Sequence, residues 1–402
     1  MISARGMTRM AVVAAMVLAA AEAVLAQEEY HWIGAGTNGN TASTRSNPST
    51  LWSNSNNWQE SVVPSGGKTY AYLWLTNAGT VYGPTLNHYV TSLYVDGTSA
   101  AAKFHFDNQT KTFSLSNLHV GSNGVSEVWQ SGGYVEVSDH TSMGGNHSSA
   151  TGTYRLSGGE LKTGLYGMTL GYKGKGCFYH TGGTYTFTHE VILGYLGSGQ
   201  GYYTLSDDGI IDGGAFGVGT HGTGAYTQTG GTAELSRLQL GSCYVDPAGP
   251  GSGTANLSGG TLTIGTLWVG TAGGKGTLKV CGSLASITIS NALVFGANGA
   301  LTSSVQVAGL SPIEVAGTAE LDGKWTVVDD GAPFGKFDII HADGGISGTF
   351  DAVNLPSEDW SWGFTTGASD TLWVQHVPEP ATLGLLAFGV AGLIVKRRRP
   401  VV

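Results

Sequence analysis

Charge is scarce in this chain, and positive charge scarcest. Only 12% of its 402 residues are Asp, Glu, Lys or Arg, and the formal net charge is −9. With both termini set aside, positions 27–377 hold 13 basic and 26 acidic residues. So few Lys and Arg argue against nucleic acid as a partner, because phosphate binding needs a basic footprint. Cysteine is nearly absent: Cys177, Cys243 and Cys281 are odd in number and lack C-x-x-C spacing. That excludes a disulfide-built scaffold and argues against a cysteine metal centre, while one bridge among the three stays open. G-x-S-x-G, H-E-x-x-H, the P-loop and the calcium-binding RTX nonapeptide are all missing. No metal or cofactor is expected.

Glycine is what the chain has in excess, 65 residues of it. Leu, Val, Ile, Tyr and Trp recur at regular intervals through the middle, as in turn-rich all-β proteins and unlike disordered chains. One half-motif, G-T-G-x-Y-x-x-S-G-G-x-L, closes at Gly158-Gly159, Gly182-Gly183, Gly230-Gly231 and Gly259-Gly260. Weaker copies close at Gly132-Gly133, Asp207-Asp208 and Gly282-Ser283. The other half-motif is apolar-x-apolar-Gly, ending at Gly121, Gly171, Gly194, Gly219, Gly241, Gly270 and Gly296. The two alternate and keep phase at intervals of 23 to 29 residues.

Aligning the copies produces columns. Val128, Tyr154, Phe178, Tyr203 and Tyr226 stand four residues before the first turn position; Leu161, Tyr185, Ile210 and Ala233 stand three after it. Apolar columns with polar neighbours are the period-two signature of strands with one buried face. Each period therefore holds about three short strands separated by glycine corners. A unit of that size cannot bury its own apolar face, but stacked units pair each strand with its copy one rung away, about 4.8 Å distant. The expected fold is all-β: a right-handed parallel β-helix (solenoid) of about eight to nine rungs over residues 67–300. A β-propeller is the rival, though its blades need four antiparallel strands. Caps close the raw strand edges. Residues 27–66, with Trp32, Trp52 and Trp58, form the N-terminal cap; residues 301–375, with Trp360, Trp362 and Trp373, form a β-rich C-terminal one.

Both ends read as addresses. Arg5 and Arg9 precede an apolar stretch and then Val24-Leu25-Ala26, so residues 1–26 are expected to be a signal peptide cleaved after Ala26. At the other end, Pro378-Glu379-Pro380 is followed by 15 apolar or small residues and then by Lys396, Arg397, Arg398 and Arg399. A helix of that length covers about 22 Å, a marginal transmembrane span whose basic cluster stays cytoplasmic. These three parts, over residues 376–402, resemble the PEP-CTERM sorting domain. The resemblance implies transient membrane retention, processing by an exosortase near Pro378, Glu379 and Pro380, and delivery to the envelope or exopolysaccharide matrix. The repeat region is similar in pattern to the passenger-like β-helices common in such proteins and in autotransporters. No terminal membrane barrel of long alternating strands is visible, which argues against self-translocation.

Parallel β-helices also host polysaccharide lyases and hydrolases. Asp207 and Asp208 with His221 resemble the Asp-Asp and Gly-His-Gly motifs of polygalacturonase-type hydrolases, where carboxylates protonate the leaving group and activate water. No Asn-Thr-Asp precedes them, no Arg-x-Lys follows, and Thr220 replaces the first glycine of the histidine motif. The pair also occupies the glycine corner slot, where Asp is a good turn former. Glu136, Asp139 and His140 are close enough in sequence to hold a cation, or simply form a solvated turn. Two readings follow: a structural or adhesive surface protein associated with extracellular polysaccharide, and a β-helix enzyme acting on such a glycan.

Overall fold

Along the strand Lys175–Leu193 alternate residues turn inward: Phe178 is fully buried beside the half-exposed Tyr179, and Tyr185 beside Thr184 and Thr186. Repetition of that alternation builds the molecule. The computed structural model describes residues 28–378 apart from 32–51, 54, 58, 60, 76–78, 85, 108–109, 242–250 and 272. The described chain is a parallel β-solenoid of about 11 turns with almost no helix. At about 4.8 Å per turn the stack is roughly 50 Å long.

Each turn presents three faces, termed A, B and C. On face A, residues 175–180 pair in parallel with 151–156 on one side and 200–205 on the other. On face B, 184–187 pair with 160–163 and 210–213. On face C, 191–193 pair with Met168–Leu170 and with 216–218. The glycines stand where the chain must bend between faces. Gly159, between A and B, has φ 79°, and Gly171, between C and A, has φ 74°. Both angles lie in the left-handed region that a Cβ disfavours. A side chain at either would also run into backbone of an adjacent turn, at Gly133 and Gln200 respectively.

Aromatic rings fill the core in a column. Tyr154, Phe178 and Tyr203 stack with centroids 5.1 and 4.8 Å apart and planes within 7° and 3° of parallel. Identical register in successive turns places these rings over one another, so the apolar columns read from sequence are the core. One position differs. Ile211 is fully buried, whereas Ile210 is 44% exposed. The corner before it, 206–209, is one residue longer than the corner 181–183 in the preceding turn, which shifts the inward phase by one.

The expected eight to nine rungs are too few. Parallel pairing continues beyond residue 300, from Gly299–Gln306 to Lys324–Asp330 and on to Ala352–Asn354. Double-glycine corners between faces A and B disappear there, with Gly344-Gly345 at a later corner, so the repeat loses its sequence mark while the stacking persists. Among the described residues antiparallel strands enter where Asp370–His376 lies between Gly335–Ala342 and Trp360–Thr365, with isolated antiparallel bridges at Gln306. At the opposite end Trp52 is fully buried; its Nε1 lies 3.0 Å from Nε2 of His88, and its ring meets Phe104 and Phe113 edge-on. Among the described residues no helix is long and apolar enough to cross a membrane. The expected signal peptide and C-terminal transmembrane helix lie outside the described residues.

Candidate functional site

The residues singled out as catalytic candidates occupy different corners. Asp207 and Asp208 are exposed in the A–B corner at 206–209, where Gly209 N–H donates to Ser206 O at 3.2 Å and Ser206 Oγ donates to Asp207 Oδ2 at 3.1 Å. Asp207 carries φ 51°, the left-handed angle that glycine supplies in neighbouring turns. His221 lies in the C–A corner, its ring edge-on to Tyr195 at 5.8 Å. A face-A strand of six residues, about 20 Å at 3.3 Å per residue, separates the two corners. The structure brings Asp207 and Asp208 together and leaves His221 apart from them.

Glu136, Asp139 and His140 diverge as well. Glu136 points out of face B, where its Oε1 lies 3.1 Å from Lys162 Nζ. His140 belongs to face C, 6.0 Å from the His119 ring. Burial lowers the pKa of His140, and burial together with its neighbour His140 brings His119 to about 4. Among the described residues no three His, Cys, Asp or Glu side chains are grouped to hold a metal ion. Cys177 and Cys281 are free thiols, and burial raises the pKa of both. Cys243 lies outside the described residues.

Sequence reasoning missed an internal polar column. Gln130, His180 and Gln228 are inward residues of face A in alternate turns, each fully or almost fully buried. Each closes its own A–B corner: Gln130 Nε2 donates to Gly133 O at 3.3 Å, and Gln228 Nε2 to Gly231 O at 3.4 Å. In the middle copy, His180 Nε2 lies 3.0 Å from Gly183 O and its Nδ1 lies 2.9 Å from the Tyr203 hydroxyl. The sequence signal was present, since Leu, His, Leu, Gln and Leu occupy this slot at 156, 180, 205, 228 and 257. Polar residues in an otherwise apolar column mark hydrogen bonds made indoors. These groups stabilise corners and offer nothing to a ligand.

The C-terminal boundary is fastened. His376 stacks on Trp360 at 4.5 Å with planes 5° apart, and its Nε2 lies 3.0 Å from Asp359 Oδ2. Val377 N–H donates to Asp359 O at 2.9 Å. Pro378 is the next residue, and Glu379, Pro380 and the 396–399 basic run lie outside the described residues.

Fold and termini together define a class, that of β-solenoid proteins carrying a C-terminal sorting signal. Residues 376–399 match the PEP-CTERM protein-sorting motif. That motif indicates processing by an exosortase-type system and export to the cell envelope or surface. No curated protein and no solved structure matches the chain.

Proposed function

We propose that the chain is a non-enzymatic structural or adhesive protein of the cell surface or extracellular matrix, associated with extracellular polysaccharide. In this reading a signal peptide is removed after Ala26 and the exosortase acts at Pro378, Glu379 and Pro380. The helix at 381–395 then holds the precursor in the inner membrane, with Lys396, Arg397, Arg398 and Arg399 on the cytoplasmic side. The rod winds right-handed, following the crossover preference of parallel strands. One observation carries the reading: a sorting signal follows directly on a solenoid closed at its C-terminal end, so the delivered body is a packed rod.

A non-enzymatic role is supported by the position of Asp207 and Asp208 as exposed residues of one corner with His221 in another, which leaves the Asp-Asp and histidine constellation of polygalacturonase-type hydrolases unassembled. The test is a strain lacking the gene, compared with its parent for surface adhesion and matrix retention. Loss of either supports the reading. Unchanged adhesion and matrix, together with failure of the purified rod to bind native exopolysaccharide or cells, would sink it. Release of reducing ends or unsaturated products from acidic glycans, abolished by Asp207→Asn or Asp208→Asn, would replace it with a β-helix hydrolase or lyase.

A further inference from the structure

The outward residues of face A differ in kind from those of face B. Tyr82, His105, Trp129, Arg155 and Tyr179 occupy one outward column in five successive turns. His105 lies 5.7 Å from Tyr82 and 6.1 Å from Trp129, centroid to centroid. Lys103 Nζ sits 4.2 Å from the Trp129 centroid, and the Arg155 guanidinium sits 5.8 Å from Trp129 and 4.4 Å from Tyr179. Glu127, in the adjacent column, pairs with both Lys103 and Arg155. One turn further, Lys175 Nζ lies 5.3 Å from the Tyr202 centroid.

Charge is segregated in the same way. Outward positions of face A, from Gly79–Tyr82 to Lys324–Asp330, carry Lys103, Arg155, Lys175, Lys275, Lys279 and Lys324 against Glu127, with the exposed Asp329 and Asp330 only at the end of the last of these strands. The corresponding positions of face B carry Glu136, Glu160, Asp212, Glu234 and Glu314 against Lys162. In a chain of net charge −9, six of the 13 basic residues at positions 27–377 thus lie on one side of the rod, with aromatic rings among them.

From this juxtaposition we propose that face A binds an acidic polysaccharide laid along the rod, with Trp129, Arg155 and Tyr179 at its centre. The proposal rests on the reading of the chain as a matrix-associated surface protein. Half-exposed rings present apolar faces to the C–H faces of sugars. Cations beside them answer carboxylates through charge-assisted hydrogen bonds, for which the fork of Arg155 is suited. Turns repeat every 4.8 Å or so, comparable with the length of one pyranose unit, so successive sugars meet successive turns. From Tyr82 to Tyr202 the ladder covers six turns, about 24 Å. Elsewhere among the described residues Lys162 and Lys336 lie beside carboxylates and Lys111, Lys173 and Arg237 are scattered, so face A is the side on which cations are grouped for a polyanion.

The test uses the purified rod from Gln27 to Val377 with two probes, polygalacturonate and the same polymer with its carboxyls reduced to neutral alcohols. Expected is salt-sensitive binding to the acidic polymer, at least about tenfold tighter than to the neutral one. Trp129→Ala and Lys103→Gln should each weaken it severalfold and the pair about tenfold, while Glu136→Gln and Glu234→Gln leave it unchanged. All four side chains point outward, and circular dichroism of each variant confirms that the comparison is between folded rods. Equal binding of both polymers, or no binding of either, overturns the acidic-glycan assignment. Binding that ignores the face-A variants overturns the placement and leaves matrix association standing. Sedimentation showing rods joined side by side, with that joining lost in the face-A variants, would assign the face to a second copy of this chain instead.

Discussion

Tyr154 donates its hydroxyl to Gln130 Oε1 of the preceding turn at 2.6 Å, both side chains being excluded from solvent. The amide of the same glutamine donates to Gly133 O and, at 2.8 Å, to Glu160 O. One side chain thus ties a corner to the next turn. Tyr154→Phe leaves the glutamine oxygen unpaired and should cost about 1–3 kcal/mol, the usual penalty for a buried orphan acceptor. Gln130→Ala orphans the hydroxyl and two carbonyls and opens a cavity as well, so its cost should be larger, roughly 3–5 kcal/mol. Urea titration followed by circular dichroism reads both. A loss below half a kilocalorie for Gln130→Ala would mean that water replaces the network.

His180 fills the same slot two turns on, and it gives stability a dependence on pH. Burial holds its imidazole at about 4, against the ordinary 6.5, despite the support of the Gly183 carbonyl. Between those values the unfolded chain binds more protons than the folded one, so stability rises with pH in that window. The contribution is complete above about pH 6.5 and is lost as pH falls toward 4, on the order of 3 kcal/mol from this group. His180→Gln should keep stability near neutral pH within about 1 kcal/mol, because glutamine at 130 makes the equivalent bonds to its own corner and to the tyrosine of the next turn. It should also flatten the acid limb. Denaturation midpoints from pH 4 to 7.5 decide the matter, and an unchanged acid limb would assign the dependence to His88, His119 and His140, which burial also lowers.

What the sequence showed and what it hid divide along a physical line. Tyr154, Phe178, Tyr203 and Tyr226 were legible as core because strand alternation and a constant repeat fix their direction without knowledge of the partner. The turns past residue 300 were not, because a turn can be made without paired glycines, as the pairing of Lys324–Asp330 with Ala352–Asn354 shows. Ile210 was misplaced by one residue because a lengthened corner leaves no trace in composition. The aromatic and basic side of the rod was invisible for a different reason. Lys103, Trp129, Arg155 and Lys175 lie tens of residues apart, and only parallel register makes them neighbours.

The corners make unequal demands on glycine. Gly159→Ala must hold a Cβ at φ 79° and place it against the backbone of Gly132 and Gly133. It should lose at least about 2 kcal/mol, from the left-handed penalty plus the clash. Asp207, at φ 51°, already bears that penalty in a longer, exposed corner. Asp207→Gly should therefore change stability by less than about 1 kcal/mol, because relief of strain is offset by the greater chain entropy of glycine. Thermal denaturation of the two variants side by side is the check. Equal losses would show that corner geometry does not set the glycine requirement.

The last residues of the folded body bear on sorting. Because His376 is held by Trp360 and Asp359, and Val377 by the Asp359 carbonyl, the rod ends one residue before Pro378. A processing enzyme can therefore meet the motif without unfolding the rod, provided that Glu379 is the group it reads. Glu379→Ala removes the only side-chain carboxylate between Val377 and the C-terminal basic run. Full-length precursor should then accumulate in the inner membrane, with the rod still folded and protease-resistant. Fractionation followed by intact-mass measurement distinguishes precursor from product. Processing at the wild-type rate and position would mean that Glu379 is not what the exosortase recognises, and that the apolar helix and basic run alone direct the chain.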